Sequence, residues 1–318
     1  MANNGSSAPN PPHGFVSQKR MWTSVFAAVL MLMTCASLAQ AQLLRTWVSG
    51  VGDNANTCDR TAPCRTFSGA LSKTAAGGEI SVLDSGSFGP VTITQAVTIS
   101  GTGHLTSILA PGTDGIVVNA GLNDIVILRD LSINGVGTGL NGIRYLAGKS
   151  LLIDNVTISG FTTRGIDVSL TATSAVIVKD TTITGVPTGI FITTTSGIVL
   201  PTLDNVHLHR LTNGLEAAAN SRVSITHSVI SNNYSNGILT SAATSQVNVE
   251  NCLVAFNDIA GINASVAGSL IRISDNDIQN NTSGINIAAG AIVSSAGNNR
   301  VVGNNFSTAP NGAAIPVQ

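Results

Sequence analysis

The sequence predicts an all-β solenoid, short strands wound into stacked coils, and three observations carry that prediction. A motif of Gly, then Ile or Leu, then any residue, then an apolar, small or polar one starts at Gly115, Gly142, Gly165, Gly189, Gly214, Gly237, Gly261 and Gly284, at intervals of 27, 23, 24, 25, 23, 24 and 23 residues. Self-similarity at such a period marks a repeat architecture. A second column holds Asp130, Asn155, Asp180, Asn205, His227, Asn251, Asp275 and Asn299, and three residues beyond them stand Ile133, Ile158, Ile183, Leu208, Ile230, Val254, Ile278 and Val302. Asn and Asp tolerate left-handed backbone, so this column predicts a polar ladder of tight turns. The composition agrees: with 43% hydrophobic, 10% charged and 4% aromatic residues, and Gly, Thr, Ser, Asn, Ile and Val abundant, the chain suits strands separated by turns.

The segment Ser150 to Ser169, SLLIDNVTISGFTTRGIDVS, is one coil. Two period-two runs meet at Asn155, and Gly160 with a polar turn leads to a third run from Gly165 to Val168. Alternate side chains of each run face inward. Leucine-rich repeats share the period, but they need Leu at fixed positions and a helical segment per repeat, whereas the apolar positions here are mostly Ile and Val between Thr, Ser, Asn and Gly. The short hexapeptide and Gly-Gly-x-Gly-x-Asp periods are absent.

Taken in order, Lys19 and Arg20 precede an apolar run from Met21 to about Leu38, and Ala39-Gln40-Ala41 offers a small-residue cleavage site, so residues 1–41 read as an export signal. The run is interrupted by Thr23, Ser24, Thr34 and Ser37, and no second stretch of spanning length follows. No stable membrane span is therefore expected after cleavage. Met33-Thr34-Cys35 is a poor match to a lipidation site. The expected location is secreted, periplasmic or cell-surface.

Residues 42–78 are expected to form an N-terminal loop and a capping helix. Thr66 to Ala76 place Phe67, Ala70, Leu71 and Ala75 on one helical face, ended by Gly77-Gly78. Such a helix would cover the open end of the first coil. The solenoid proper spans 79–306, with irregular early strands at Glu79–Leu83, Val91–Ile93, Val97–Ile99 and Ser107–Leu109, and 307–318 is a tail. Cys58 and Cys64, in a Gly/Asn/Asp/Pro loop, suit a local disulfide in an oxidising compartment, while Cys252 reads as a buried free thiol.

The Gly-Ile-x-Val strands and the Asn/Asp turn column resemble the right-handed parallel β-helix of the pectate-lyase-like superfamily. The segment Cys58 to Ile93, CDRTAPCRTFSGALSKTAAGGEISVLDSGSFGPVTI, resembles the opening of exported bacterial β-helix proteins, in which Pro-Cys-Arg-Thr-Phe leads into the capping helix. The resemblance covers about Trp47 to Phe306 and implies a right-handed parallel β-helix of about ten coils of about 24 residues, with an N-terminal amphipathic capping helix. It leaves activity open, because the superfamily includes lyases, hydrolases, epimerases, esterases and adhesins.

Removing Lys19 and Arg20 leaves 13 basic residues against 16 acidic ones. With no basic face or run of like charge, no nucleic-acid partner is expected. Outward residues can be compared coil by coil. Arg129, Asp154, Lys179 and Asp204 alternate in sign, as cross-strand ion pairing favours. The column two past each repeat glycine holds Val117, Arg144, Asp167, Phe191, Glu216, Leu239, Asn263 and Asn286. Within it Arg144, Asp167 and Glu216 are the candidate contacts to a polysaccharide or cell-surface glycan, and Arg144 and Asp167 should pair.

No cofactor is expected and no metal. His207, His209 and His227 are the residues a zinc or copper ion would use, but His227 is two positions out of column with His207, and the neighbours Thr182, Val229, Thr184 and Ser231 bring no carboxylate. The Asn-x-Asp, Asp-Asp, Gly-His-Gly and Arg-x-Lys motifs of polygalacturonase-like enzymes and the Asp-Pro-His of epimerase-like ones are missing. No catalytic residue can be named. The expectation is a structural or glycan-interacting module without a catalytic site, with a polysaccharide lyase or glycoside hydrolase as the alternative.

Overall fold

The computed structural model describes residues 1–9 and 42–316, in two units, Met1–Ala41 and Gln42–Gln318. Residues 1–9 have no regular secondary structure. The rest of the expected export signal, Cys35 included, lies outside the described residues.

The second unit is a parallel β-helix, in which three ladders of parallel strands run along the coils. The first ladder begins with Leu43–Val48 paired to Thr74–Val82 and ends at Ile292–Ser295. The second runs from Gly86–Ser87 to Arg300–Val302 and the third from Val91–Ile93 to Ser283–Ile287. The expected ten coils are about nine complete ones, because the strands Ile292–Ser295 and Arg300–Val302 have no third-ladder strand after them. Ile125–Ala147 and Ser150–Leu170 are continuous strands that pass through all three ladders, since their turns are short enough for pairing to resume almost at once.

The turn column is left-handed as its composition requires. Asp130, Asn155, Asp180, Asn205, His227, Asn251 and Asp275 have φ between 48° and 58°. Asn155 and Asn205 each donate a 2.7 Å hydrogen bond to the carboxylate one coil back, Asp130 and Asp180. The last expected member is displaced: Ile278 pairs with Val301, not Val302, so Asn298 stacks on Asp275 and Asn299 turns inward. The final repeat is one residue shorter, and one residue is enough to reverse a side chain's direction.

The glycine column has a different cause. None of its members has positive φ, but a Cβ on Gly165 would lie 2.7 Å from the Gly189 carbonyl oxygen, and one on Gly189 would lie 2.5 Å from that of Gly214. Coil-to-coil approach of the backbone excludes a side chain there. Inside, Ile133, Ile158, Ile183, Leu208, Ile230, Val254 and Ile278 are fully buried in one stack. The inward position just after the second turn is apolar at Phe161, Val186 and Leu211 and then becomes amide at Asn233, Asn257, Asn281 and Asn304. Each of these amides accepts from the backbone N–H of the coil before it, at 2.9–3.4 Å. The ladder thereby satisfies polar groups that burial would otherwise make costly.

The N-terminal cap differs from expectation. The helix is a single turn, Phe67–Leu71, capped by the Thr66 hydroxyl, while Ala75 and Gly77-Gly78 belong to the strand Thr74–Val82. Ser68, Gly69 and Ser72 are poor helix formers, and strand pairing to Leu43–Val48 and Val97–Ser100 takes the rest. A three-turn capping helix is therefore not present among the described residues. Phe67 is buried, its ring centroid 5.3 Å from that of Phe88. Cys58 and Cys64 form a disulfide in this region, with Cα atoms 4.7 Å apart. At the other end Asn311, Gly312 and Ile315 hydrogen-bond to the strand Ile292–Ser295, so the tail covers the first ladder's last edge.

Candidate functional site

The strand period turns Ile166 and Val168 inward and Asp167 outward. Along the third ladder the outward row stacks as the sequence places it: Val117, Arg144, Asp167, Phe191, Glu216, Leu239, Asn263 and Asn286 are successive partners. Arg144 Nε lies 3.5 Å from Asp167 Oδ2, and its Nη1 lies 3.7 Å from Asp114 Oδ2. Asp167 is buried although it faces outward, because neighbouring side chains fold over it. Its Oδ1 accepts from Arg164 Nη1 at 2.6 Å and from the Ser169 hydroxyl at 2.7 Å. The Arg164 guanidinium in turn lies 3.6 Å above the centroid of the Phe191 ring, a cation–π contact. Asp114 accepts from both nitrogens of Asn141.

Arg144 and Asp167 thus meet, whereas Glu216 stands two coils beyond Asp167, behind Phe191, where it accepts from Ser241. Arg164 and Asp114 are the members the sequence reading missed. Both stand one residue before a repeat glycine, and comparing that column coil by coil would have found them. Two carboxylates and two guanidiniums balance, and Asp167 accepts two hydrogen bonds on Oδ1 while Oδ2 keeps the longer ion pair with Arg144. The Arg144 side chain is 44% exposed and its ion-pair distances are long, which leaves N–H donors for a ligand carboxylate or hydroxyl.

On the first ladder Arg129, Asp154, Lys179 and Asp204 stack in that order. The expected alternation of ion pairs is realised once, between Lys179 and Asp154 at 3.2 Å. Asp204 turns instead to His227 and Thr226, whose hydrogen bonds hold its carboxyl below the usual range. Arg129 makes no ion pair among the described residues.

The three histidines do not converge. His207 and His209 face outward either side of buried Leu208, and their neighbours are Thr182, Val229, Thr184 and Ser231. His227 sits in the turn with its Nδ1 2.8 Å from Asp204 Oδ1. Burial, and then the neighbouring His207 and Arg210, hold His209 below the ordinary value of 6.5. Among the described residues no group of three or more His, Cys, Asp or Glu side chains is placed to hold a metal ion. Burial pushes the Cys252 thiol up to about 11, so it stays protonated and unreactive. Among the described residues no helix is long and apolar enough to cross a membrane.

Residues 168–315 match the family model for the right-handed β-helix region. No curated protein sequence matches the chain. Among solved structures it is similar to the A-module of a mannuronan C-5 epimerase from Azotobacter vinelandii, at 15% identity over 76% of this chain and 91% of that one, with a TM-score of 0.46. It is also similar to a pectate lyase, at 15% identity over 87% and 83% with a TM-score of 0.48. A third likeness is to a lacto-N-biosidase from Eubacterium ramulus, at 9% identity over 92% and 70% with a TM-score of 0.42. No activity is carried over from these likenesses. With three parallel ladders, left-handed turns and a glycine column all in register, and the right-handed β-helix region matched over residues 168–315, the chain has the fold of a right-handed parallel β-helix.

Proposed function

We propose that the protein is an exported, non-catalytic, glycan-interacting module that meets acidic polysaccharide with the outward row of its third ladder. The observation that carries this reading is the state of Asp167. A carboxylate serving as base or nucleophile needs a free lone pair aimed at the reacting atom, whereas Asp167 is buried, with Oδ1 bonded by Arg164 and Ser169 and Oδ2 facing the Arg144 guanidinium at 3.5 Å. Arg144 is the exposed member with donors to spare, and its planar fork suits a uronate carboxylate. Glu216 and Asn286 continue the row as hydrogen-bonding partners for sugar hydroxyls farther along. A secreted, periplasmic or cell-surface location fits this role.

Incubation of the purified protein with immobilised polyuronides and neutral glycans tests the reading in one experiment. Retention on a polyuronide, loss of that retention in Arg144→Ala, and no unsaturated or reducing ends released are expected. Product release that a single substitution at Asp114 or Asp167 abolishes makes the protein a lyase or hydrolase instead.

A further inference from the structure

A second surface lies along the turn between the second and third ladders. Here the inward amides Asn233, Asn257 and Asn281 form a floor, and two outward rims flank it. One rim is the left-handed residue of each turn: Gly185, Arg210, Asn232, Phe256, Asn280 and Gly303, with φ between 55° and 70°. The other rim, two residues on, is Pro187, Thr212, Tyr234, Asp258, Thr282 and Asn305. Backbone bonds from Tyr234 to Leu211 and from Asp258 to Asn233 hold its successive coils in step. Two depressions of about 530 and 420 Å³ open between the rims on neighbouring coils, with Tyr234 lining both, and together they make a trough-like row along the turn.

Two residues here are out of keeping with their places. Tyr234 is 63% exposed, whereas Tyr145 is fully buried with its hydroxyl bonded to Ser174. Phe256 is 51% exposed and has φ 56°. Left-handed backbone is costly for a bulky residue, and the coils on either side of Phe256 use Asn at that position, Asn232 and Asn280. An aromatic ring kept in strained backbone with half its surface in water is poorly repaid by packing, which directs attention to what it meets outside. Among the described residues the side chains of Arg210, Tyr234, Asp258, Asn280 and Thr282 make no hydrogen bond or ion pair. The trough therefore offers two aromatic faces on successive coils, open amide and hydroxyl groups, and a balance of one cation and one anion.

We propose that this trough binds a neutral oligosaccharide, with Tyr234 and Phe256 as stacking platforms for sugar rings and Asp258, Asn280 and Thr282 as partners for hydroxyls. The chemistry selects that class. A sugar ring presents an apolar C–H face to an aromatic and a rim of hydroxyls to amides and carboxylates, and a balanced trough has no use for a charged ligand. Because coils repeat about every 4.8 Å along the axis, the two platforms suit a chain of sugars laid lengthwise. The surface is separate from the Arg144 row and does not depend on it.

Titration of the purified protein with neutral hexasaccharides (cello-, xylo-, manno- and N-acetylchito-) by calorimetry tests the proposal, with Tyr234→Ala and Phe256→Gly as variants. At least one hexasaccharide should bind, and each variant should weaken it about tenfold. Phe256→Gly should leave the melting temperature unchanged or raised, since Gly accepts the left-handed turn, so its loss of binding cannot be ascribed to unfolding. No binding by any hexasaccharide, or binding that both variants leave intact, overturns the proposal. So does binding that Arg144→Ala abolishes, which would move the neutral ligand to the third-ladder row.

Discussion

The charge cluster around Asp167 and the trough beside Tyr234 are both made of outward positions on the same repeat, yet their polar groups are used in opposite ways. Around Asp167 two guanidiniums and two carboxylates pair, a hydroxyl and an amide donate to the carboxylates, and the one exposed member is Arg144. In the trough the polar groups are open to water and two aromatic rings stand exposed among them. Stacking explains the difference. Opposite charges a few ångströms apart in adjacent coils pair and spend themselves, whereas the Asn280 amide, the Thr282 hydroxyl and the rings of Tyr234 and Phe256 have no such partner among the described residues. In the charged column pairing therefore leaves only the exposed Arg144 to meet a ligand, whereas in the trough the rings and polar groups are all open to one.

The comparison presupposes the coil register, and the largest expected effects test that. Ile183→Asp should cost several kcal/mol and melt neighbouring coils together, because an unpaired carboxylate would enter the stack next to Ile158 and Leu208. Urea unfolding with an unchanged midpoint would break the register and both sites with it. Asn257→Ala should cost about 2–4 kcal/mol, since it strips acceptors from the Asn233 backbone N–H and side-chain amide and leaves a cavity below the trough.

Smaller effects sharpen the contrast between the surfaces. Arg164→Ala should cost about 1–3 kcal/mol by removing the closest partner of a buried carboxylate and uncovering Phe191. Arg210→Ala, in the trough, should cost about 0.5 kcal/mol or less because its side chain is exposed and bonded to nothing described. Equal costs would erase the distinction between spent and unspent groups. The smallest effect is pH dependence at His209. Its folded value lies below the ordinary 6.5, so the unfolded chain binds the proton more readily and stability falls as pH drops through that ordinary value. The melting temperature should decrease by about 1 °C between pH 7.5 and 5.5 beyond any change seen in His209→Gln.

Most of the fold was legible in the sequence because stacked coils force vertical neighbours to share a role. The left-handed turns from Asp130 to Asp275 and the row from Val117 to Asn286 were readable for that reason. Legibility failed where one local preference met another. Phe67, Ala70 and Leu71 gave a helical spacing that strand pairing cut to one turn. Asn299 fitted the turn column by count, but a repeat one residue shorter sent it inward. The amide ladder from Asn233 to Asn304 was hidden because the equivalent positions in earlier coils are Phe161, Val186 and Leu211, which share its direction and not its chemistry. At the candidate site the pairing of Arg144 with Asp167 was legible, while the part of Arg164 was not, since it depends on a side chain reaching across to both Asp167 and Phe191.

The most direct test of the account sets the two surfaces against each other: affinity of the protein, Arg144→Ala and Phe256→Gly for one acidic polyuronide oligomer and for the neutral hexasaccharide it binds best. Arg144→Ala should weaken only the acidic ligand and Phe256→Gly only the neutral one, each about tenfold, with both variants melting as the parent does. A single substitution that weakens both ligands, or neither substitution weakening its own, would contradict the division between a spent charge cluster and an open aromatic trough.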